Sequence, residues 1–181
     1  FTPDGTKLLV AGEGEKNDDS EQDDNPLGTV AIVDVADPTD PSVNLLDFTA
    51  FNGLEEIARA AGIRIQAGVS FAEDVEPEYI TVAPDGTTAF VALQENNAIA
   101  TVDLASQTIT DVFGLGIVDF ETASQLDPND DGQVQIINVP GLVGLRMPDS
   151  IAAFETGGTT YVATANEGDS RDFDEERVGD L

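Results

Sequence analysis

Short apolar runs of strand length recur along this chain, each broken by turn residues. The clearest group lies within residues 77–111. Its runs are 77–83 (Pro-Glu-Tyr-Ile-Thr-Val-Ala), 88–93 (Thr-Ala-Phe-Val-Ala-Leu), 98–104 (Ala-Ile-Ala-Thr-Val-Asp-Leu) and 108–111. Between them stand Pro84-Asp85-Gly86-Thr87, Gln94-Glu95-Asn96-Asn97 and Ala105-Ser106-Gln107. Runs rich in β-branched residues and bounded in this way read as strands. Pro-Asp-Gly supplies a fixed φ, a local side-chain hydrogen bond and a residue free to take positive φ. The pattern predicts a meander of three or four strands, the form of one β-propeller blade.

The same pattern occurs elsewhere. Residues 3–11 match 84–92, and Glu13-Gly14-Glu15 falls one residue earlier than Glu95-Asn96-Asn97. Residues 28–35 match 97–104. A third copy opens at 149–165, with a Gly157-Gly158 turn and Asn166-Glu167-Gly168-Asp169 at the place of Gln94-Glu95-Asn96-Asn97. The copies lie further apart than the roughly 40–50 residues of a simple propeller repeat, so long inserts or a divergent blade separate them. Residues 43–48 and 134–139 read as further strands, 63–65 as an extended run, 112–118 as apolar and punctuated by glycine, and 140–148 as irregular. Residues 52–62 read as a short amphipathic helix capped by Asn52, with Leu54, Ile57, Ala58 and Ala61 on one face and Gly62 ending it. Fewer than four full blades are visible, and a propeller closes with about four to eight. The expectation is an all-β chain in which residues 1–181 are part of a single β-propeller domain, cut short at both ends, with long acidic loops and one helical insert.

Composition narrows the chemistry. The 181 residues are 40% hydrophobic, enough to bury a core. Cys and His are both absent, which excludes a disulfide framework, a thiolate or imidazole metal site and a Ser-His-Asp triad. The net charge is −29. Such a surface repels nucleic acid and anionic lipid and attracts cations. It also keeps a protein soluble in a saline environment, where salt screens its self-repulsion. No apolar run approaches the roughly 18–20 residues of a membrane span.

Three clusters of polar residues are candidates for chemistry. Asp127-Pro128-Asn129-Asp130-Asp131-Gly132 matches the opening of a calcium loop, with Asp127, Asn129 and Asp131 as ligands and Gly132 at the sharp turn. Asn138 stands where a full helix-loop-helix site would carry its bidentate Glu, and an ordinary turn is the competing reading. The second cluster is set by position in the repeat. Glu13 and Glu15, Glu95 with Asn96 and Asn97, and Glu167 with Asp169 each follow a strand of the repeat, and Glu73, Asp74, Glu76 and Glu78 precede the central one. In a propeller these groups would converge on a calcium, magnesium or manganese ion, or form a solvated acidic rim. The third cluster closes the chain, where Arg171 offers a planar fork for phosphate or pairs with the carboxylates around it. Ser170 has no base partner to make it a nucleophile.

Several of these segments together resemble the choice-of-anchor I proteins. They are Phe1-Thr2-Pro3-Asp4-Gly5 with Glu13-Gly14-Glu15, Glu76-Pro77-Glu78-Tyr79, residues 93–100, Pro148-Asp149-Ser150-Ile151-Ala152 and residues 164–172. That group comprises secreted or surface-anchored bacterial and archaeal proteins similar to mesenchyme-specific cell-surface glycoproteins of animals. The resemblance implies a β-propeller, an extracellular or cell-surface location and an anchoring signal outside this stretch. Some members are described as alkaline phosphatases, which fold alone does not transfer. Gly12 departs from the pattern, standing where Asn is expected, and the loop of residues 16–24 is unusually acidic.

Two functions follow as expectations. One is a non-catalytic, calcium-stabilised extracellular propeller for surface display, adhesion or binding, whose partners are cations and cell-surface or extracellular-matrix components. The alternative is a metal-dependent phosphoesterase with Glu95, Glu167 and Asp169 on the metal and Arg171 on phosphate. Metal-bound water can run such chemistry on oxygen ligands alone.

Overall fold

A computed structural model of the protein describes residues 1–15, 25–129 and 131–168. The described residues are nearly all β, in antiparallel sheets, none of which closes on itself. The first sheet contains β1 (Lys7–Gly12), β2 (Thr29–Asp34) and β3 (Ser42–Asp47), paired in that order. The second is the predicted meander of β4 (Pro77–Val82), β5 (Thr88–Leu93), β6 (Ala98–Asp103) and β7 (Thr108–Gly114). A small pair, β8 (Ile117–Asp119) and β9 (Val143–Leu145), follows it. The hairpin of β10 (Pro148–Thr156) and β11 (Thr159–Asn166) closes the described chain.

The turn chemistry works as the residue types dictate. Asp4 and Asp85 each accept from the backbone N–H and the hydroxyl of the threonine two residues on, Thr6 and Thr87. Asp37 and Asp47 hold Thr39 and Thr49 in the same way. Gly157 and Gly158 both take positive φ (61° and 75°), as a tight two-residue hairpin turn requires.

The sheets stack face to face. β4 lies against β1 on one side and β10 on the other, and β3 lies beside β7, where the Asn44 amide donates to Gln107 Oε1. Alternation along the strands makes this possible. Leu9, Val30 and Ile32 of the first sheet share one core with Ala89, Val91, Ala100 and Val102 of the second. The second sheet's opposite face, with Ala92, Ile99 and half-buried Phe90, packs against Ile151 and Val162 of the third. The β4–β7 sheet is therefore covered on both sides.

The connection between β3 and β4 holds two short helices, α1 (Glu55–Ala60) and α2 (Phe71–Asp74). α1 starts three residues later than expected, because Asn52 serves elsewhere: its Oδ1 accepts from the Ala72 N–H. Glu55 likewise accepts from the Phe71 N–H. The region around α1 thus supplies partners for the exposed first turn of α2, whose Ser70 and Glu73 also bond to each other. Only Ala58 of the expected apolar face is buried, and Ile57 is 67% exposed. Gly62 ends the helix at φ 84°, as expected. Residues 63–65 are extended with Ile63 and Ile65 buried but join no ladder. Residues 134–139 do not form a strand. A single bridge, Leu126 to Ile137, is all they make, and Val134 is 84% exposed, since no neighbouring sheet offers them an edge. Residues 143–145, expected to be irregular, form β9.

Candidate functional site

The two ends of the sheet stack differ. At one end the connections are short: residues 83–87, 104–107 and 157–158, with 35–41 the longest. A cleft of about 270 Å³ lies there between the two Pro-Asp-Gly-Thr turns, lined by Pro3, Asp4, Lys7, Asp85, Thr87 and Leu104 among others. Asp4 and Asp85 are already engaged by their turn threonines, which hold both carboxyls below the usual range, Asp4 at about 2. At the other end lie the connection from β1 to β2, both helices, the β8–β9 insertion and the Gln94-Glu95-Asn96-Asn97 turn.

That turn ties the end together. The fully buried Asn96 amide donates to the carbonyls of Arg64 and Asp74 and to Asp74 Oδ2, each at 3.0 Å. Its Oδ1 accepts from the Glu76 N–H at 3.1 Å. Asn97, also fully buried, sits at φ 52° and donates to the carbonyls of Gly62 and Gly116 at 3.1 and 2.9 Å. Its Oδ1 accepts from the N–H groups of Arg146 and Met147 at 2.9 and 3.2 Å. Arg146 in turn donates to the carbonyls of Leu115 and Ile117. Asn96 thereby fixes the lead-in to β4, and Asn97 fixes the junction between β7 and β10. Their polar atoms are spent on backbone.

Carboxylates gather at the same end. Glu78 and Asp149 occupy equivalent places, each beside a proline in a β-bulge at the start of β4 and β10. A bulge leaves an extra residue outside the ladder and re-aims it. Glu13, Gln94 and Glu167 are the first residues after β1, β5 and β11. Strand register thus equates Glu167 with Gln94, one place away from the sequence alignment that set it against Glu95. Gln94 Nε2 donates to Glu167 Oε2 at 3.3 Å across the second and third sheets. Burial, and then the charges of Glu13, Asp149, Glu76 and Glu167, push the Glu78 carboxyl up to about 7. Glu13 is raised by burial and by Glu15.

Of the groups predicted to converge, Glu13, Glu76, Glu78 and Glu167 therefore share one field. Glu73 instead serves Ser70, and Glu95 lies in the buried turn. Asp149 is an addition, and its signal was available: Pro148-Asp149-Ser150-Ile151 parallels Pro77-Glu78-Tyr79-Ile80. Asp127, Asn129 and Asp131 lie apart, in the surface loop between β8 and β9. There Asp127 accepts from the Asn129 and Gln135 N–H groups, and Asp131 from the Gln133 N–H and, at 3.5 Å, the Gln135 amide. Asn138 bonds to Gln125 and Ser124. Asp169 and Arg171, with the 16–24 loop and Asp130, lie outside the described residues. Among the described residues no group of three or more carboxylates is placed to hold a single ion. No described helix is long and apolar enough to cross a membrane.

No curated protein matches this chain. Among solved structures it is similar to the hydrazine synthase of Kuenenia stuttgartiensis, at 16% identity over 91% of this chain. The chain spans 44% of that protein's length, and at a TM-score of 0.36 the likeness carries no argument about fold or activity. The model of the choice-of-anchor I domain matches residues 1–181. The chain therefore belongs to the choice-of-anchor I family, whose name suggests a surface-associated, extracellular protein.

Proposed function

We propose that the chain is part of an extracellular β-propeller, stabilised by calcium, that serves surface display, adhesion or binding and is not a catalyst. One observation carries this reading: three successive sheets stack face to face with their corresponding strands adjacent, and nearly all elaboration is confined to one end of the stack. Propellers are built from such repeated meanders. Connecting loops displayed together on a rigid scaffold are where binding resides.

Calcium enters on two supports. The Asp127–Gly132 loop has the short ligand spacing, and two of its carboxylates are turned toward one residue, Gln135. The group of Glu13, Glu76, Glu78, Asp149 and Glu167 carries repulsion that a divalent cation would relieve. Glu95, Glu167 and Asp169 remain the proposed ligands for a cation at that end, and Asp127, Asn129 and Asp131 for one in the loop. The phosphoesterase reading rests on Asp169 and Arg171, outside the described residues, and on a metal at the same end.

The test is thermal unfolding after chelation, with calcium or magnesium added back at matched ionic strength. A cation that binds only the folded chain raises the midpoint with concentration. Calcium is expected to raise it more than magnesium, with the difference reduced in Asp127→Asn and Glu167→Gln variants. Equal small rises with both ions would reduce the acidity to general solvation. Metal-dependent hydrolysis of a chromogenic phosphate ester, lost in Arg171→Ala, would overturn the non-catalytic reading.

A further inference from the structure

The outer face of the first sheet is apolar and uncovered. Leu8, Val33 and Val43 form one cross-strand row, and Val10, Ala31 and Leu45 form the next. Val43 and Leu45 are 65% and 63% exposed. The β4–β7 sheet has the same two rows at the corresponding register, Ala89–Val102–Ile109 and Val91–Ala100–Val112. There they are buried, against Leu9, Val30, Ile32 and Leu46 of the first sheet. The repeat thus states what covers such a face: the opposite face of a neighbouring sheet of the same make.

The chain carries that second kind of face, also uncovered, at the other end of the stack. On β10 and β11, Ala152 pairs with Ala163 and Phe154 with Tyr161, on the side away from Ile151 and Val162. Phe154 and Tyr161 are 45% and 48% exposed and stack on each other at 5.6 Å. Counting back from the ends of β1, β5 and β11, Ala163 stands where Leu9 and Phe90 stand in their sheets, and both of those pack onto the next sheet in order.

We propose that a second copy of this chain occupies the first sheet's outer face, presenting its own β10–β11 face. Within one chain every sheet-to-sheet contact is of this outer-on-inner kind, so the association is head-to-tail, joining two different patches. Two copies bring six blade-like sheets, within the roughly four to eight of a closed propeller. Closure would use the same interface twice and leave neither face exposed. This inference rests on reading the sheets as propeller blades.

The test uses the 181-residue chain in sedimentation equilibrium at about 0.5 M salt, where the Debye length of about 4 Å screens repulsion between copies that each carry −29. A dimer of the 19.0 kDa chain is expected, with its share rising as salt is added. Leu45→Lys and Phe154→Lys should each be monomeric. Both positions are exposed, so unchanged circular dichroism will separate lost association from lost folding, and Val43→Lys and Tyr161→Lys provide second variants. Mixing Leu45→Lys with Phe154→Lys should restore a one-to-one pair, because each retains the face the other lacks. A wild-type chain that is monomeric at high salt would overturn the proposal. So would variants that fail to pair when mixed while the wild type dimerises, since that marks a contact between like patches. The calcium melt can be run on the monomeric variants, so failure to assemble and failure of the propeller's cation sites remain distinguishable.

Discussion

Asn97 shows how much one side chain carries in this protein. It occupies a left-handed backbone position and bonds to four backbone groups from three separate segments. Asn97→Ala would strand those buried groups and keep the strained φ, so urea unfolding should show a loss of roughly 3–5 kcal/mol. Asn97→Gly relieves only the backbone and should recover about 1 kcal/mol of that. Equal losses would mean that φ contributes nothing. Glu78 is the other singular residue. Its folded carboxyl titrates at about 7 against an ordinary 4.5, so between those values the folded chain holds a proton that the unfolded chain has released. Stability from this group therefore falls as pH rises from about 4.5 to 7. Glu78→Gln should flatten the melting-temperature profile across that window, and an unchanged slope would assign it to other groups.

At the scale of elements, close approach sets the limits. A Cβ at Gly28, just before β2, would lie 2.1 Å from the Val75 carbonyl oxygen and 2.8 Å from Pro77 Cδ. Neither backbone nor ring can yield, so Gly28→Ala should cost at least about 2 kcal/mol and loosen the first sheet from the lead-in to β4. Gly5 has open space around it and positive φ, so Gly5→Ala should cost only about 1–2 kcal/mol, all of it backbone strain. Comparing the two melts separates crowding from conformation.

Elements that repeat were legible in the sequence because strand alternation and Pro-Asp-Gly turns are local signals. The β4–β7 meander and the β10–β11 hairpin follow directly from them. α2 was missed because four residues are too few to show a helical period, although Ser70 and Glu73 carry a capping signal. The 134–139 run was misread because its apolar residues alternate like a strand yet find no partner edge. Within the candidate site, the gathering of Glu13, Glu78 and Glu167 followed from repeat position. Asp149 and the one-place shift of Glu167 needed the ladder register, since a bulge changes which residues face each other without altering residue types.

For the whole molecule, acidity acts in two opposite directions. Asp4, Asp37, Asp47, Asp85, Asp103 and Asp119 all titrate below their usual range because turn hydroxyls and N–H groups hold their charged forms. Their contribution is present above an ordinary carboxyl pKa of 3.8 and is lost as pH falls from there toward about 2. Glu78 withdraws stability on the alkaline side. The melting temperature should therefore peak between about pH 4 and 5 in the absence of divalent cations. Calcium that neutralises the carboxylate group should move the peak upward, toward neutrality. A maximum at pH 7 or above without added cation would contradict this account.

The division of the connections between the two ends has a consequence for how this scaffold can change. Ladder register is set by tight aspartate-threonine turns at one end, whereas the insertions leave from the other. A peptide grafted between β8 and β9, or a shortened link from β3 to β4 that spares the partners of α2, alters what the protein presents without shifting any strand against its neighbour. Lengthening a Pro-Asp-Gly-Thr turn would do the reverse. Diversity and constraint are thus sorted to opposite poles of one stack, and a library randomised at the insert pole would sample new surfaces on an unchanged frame.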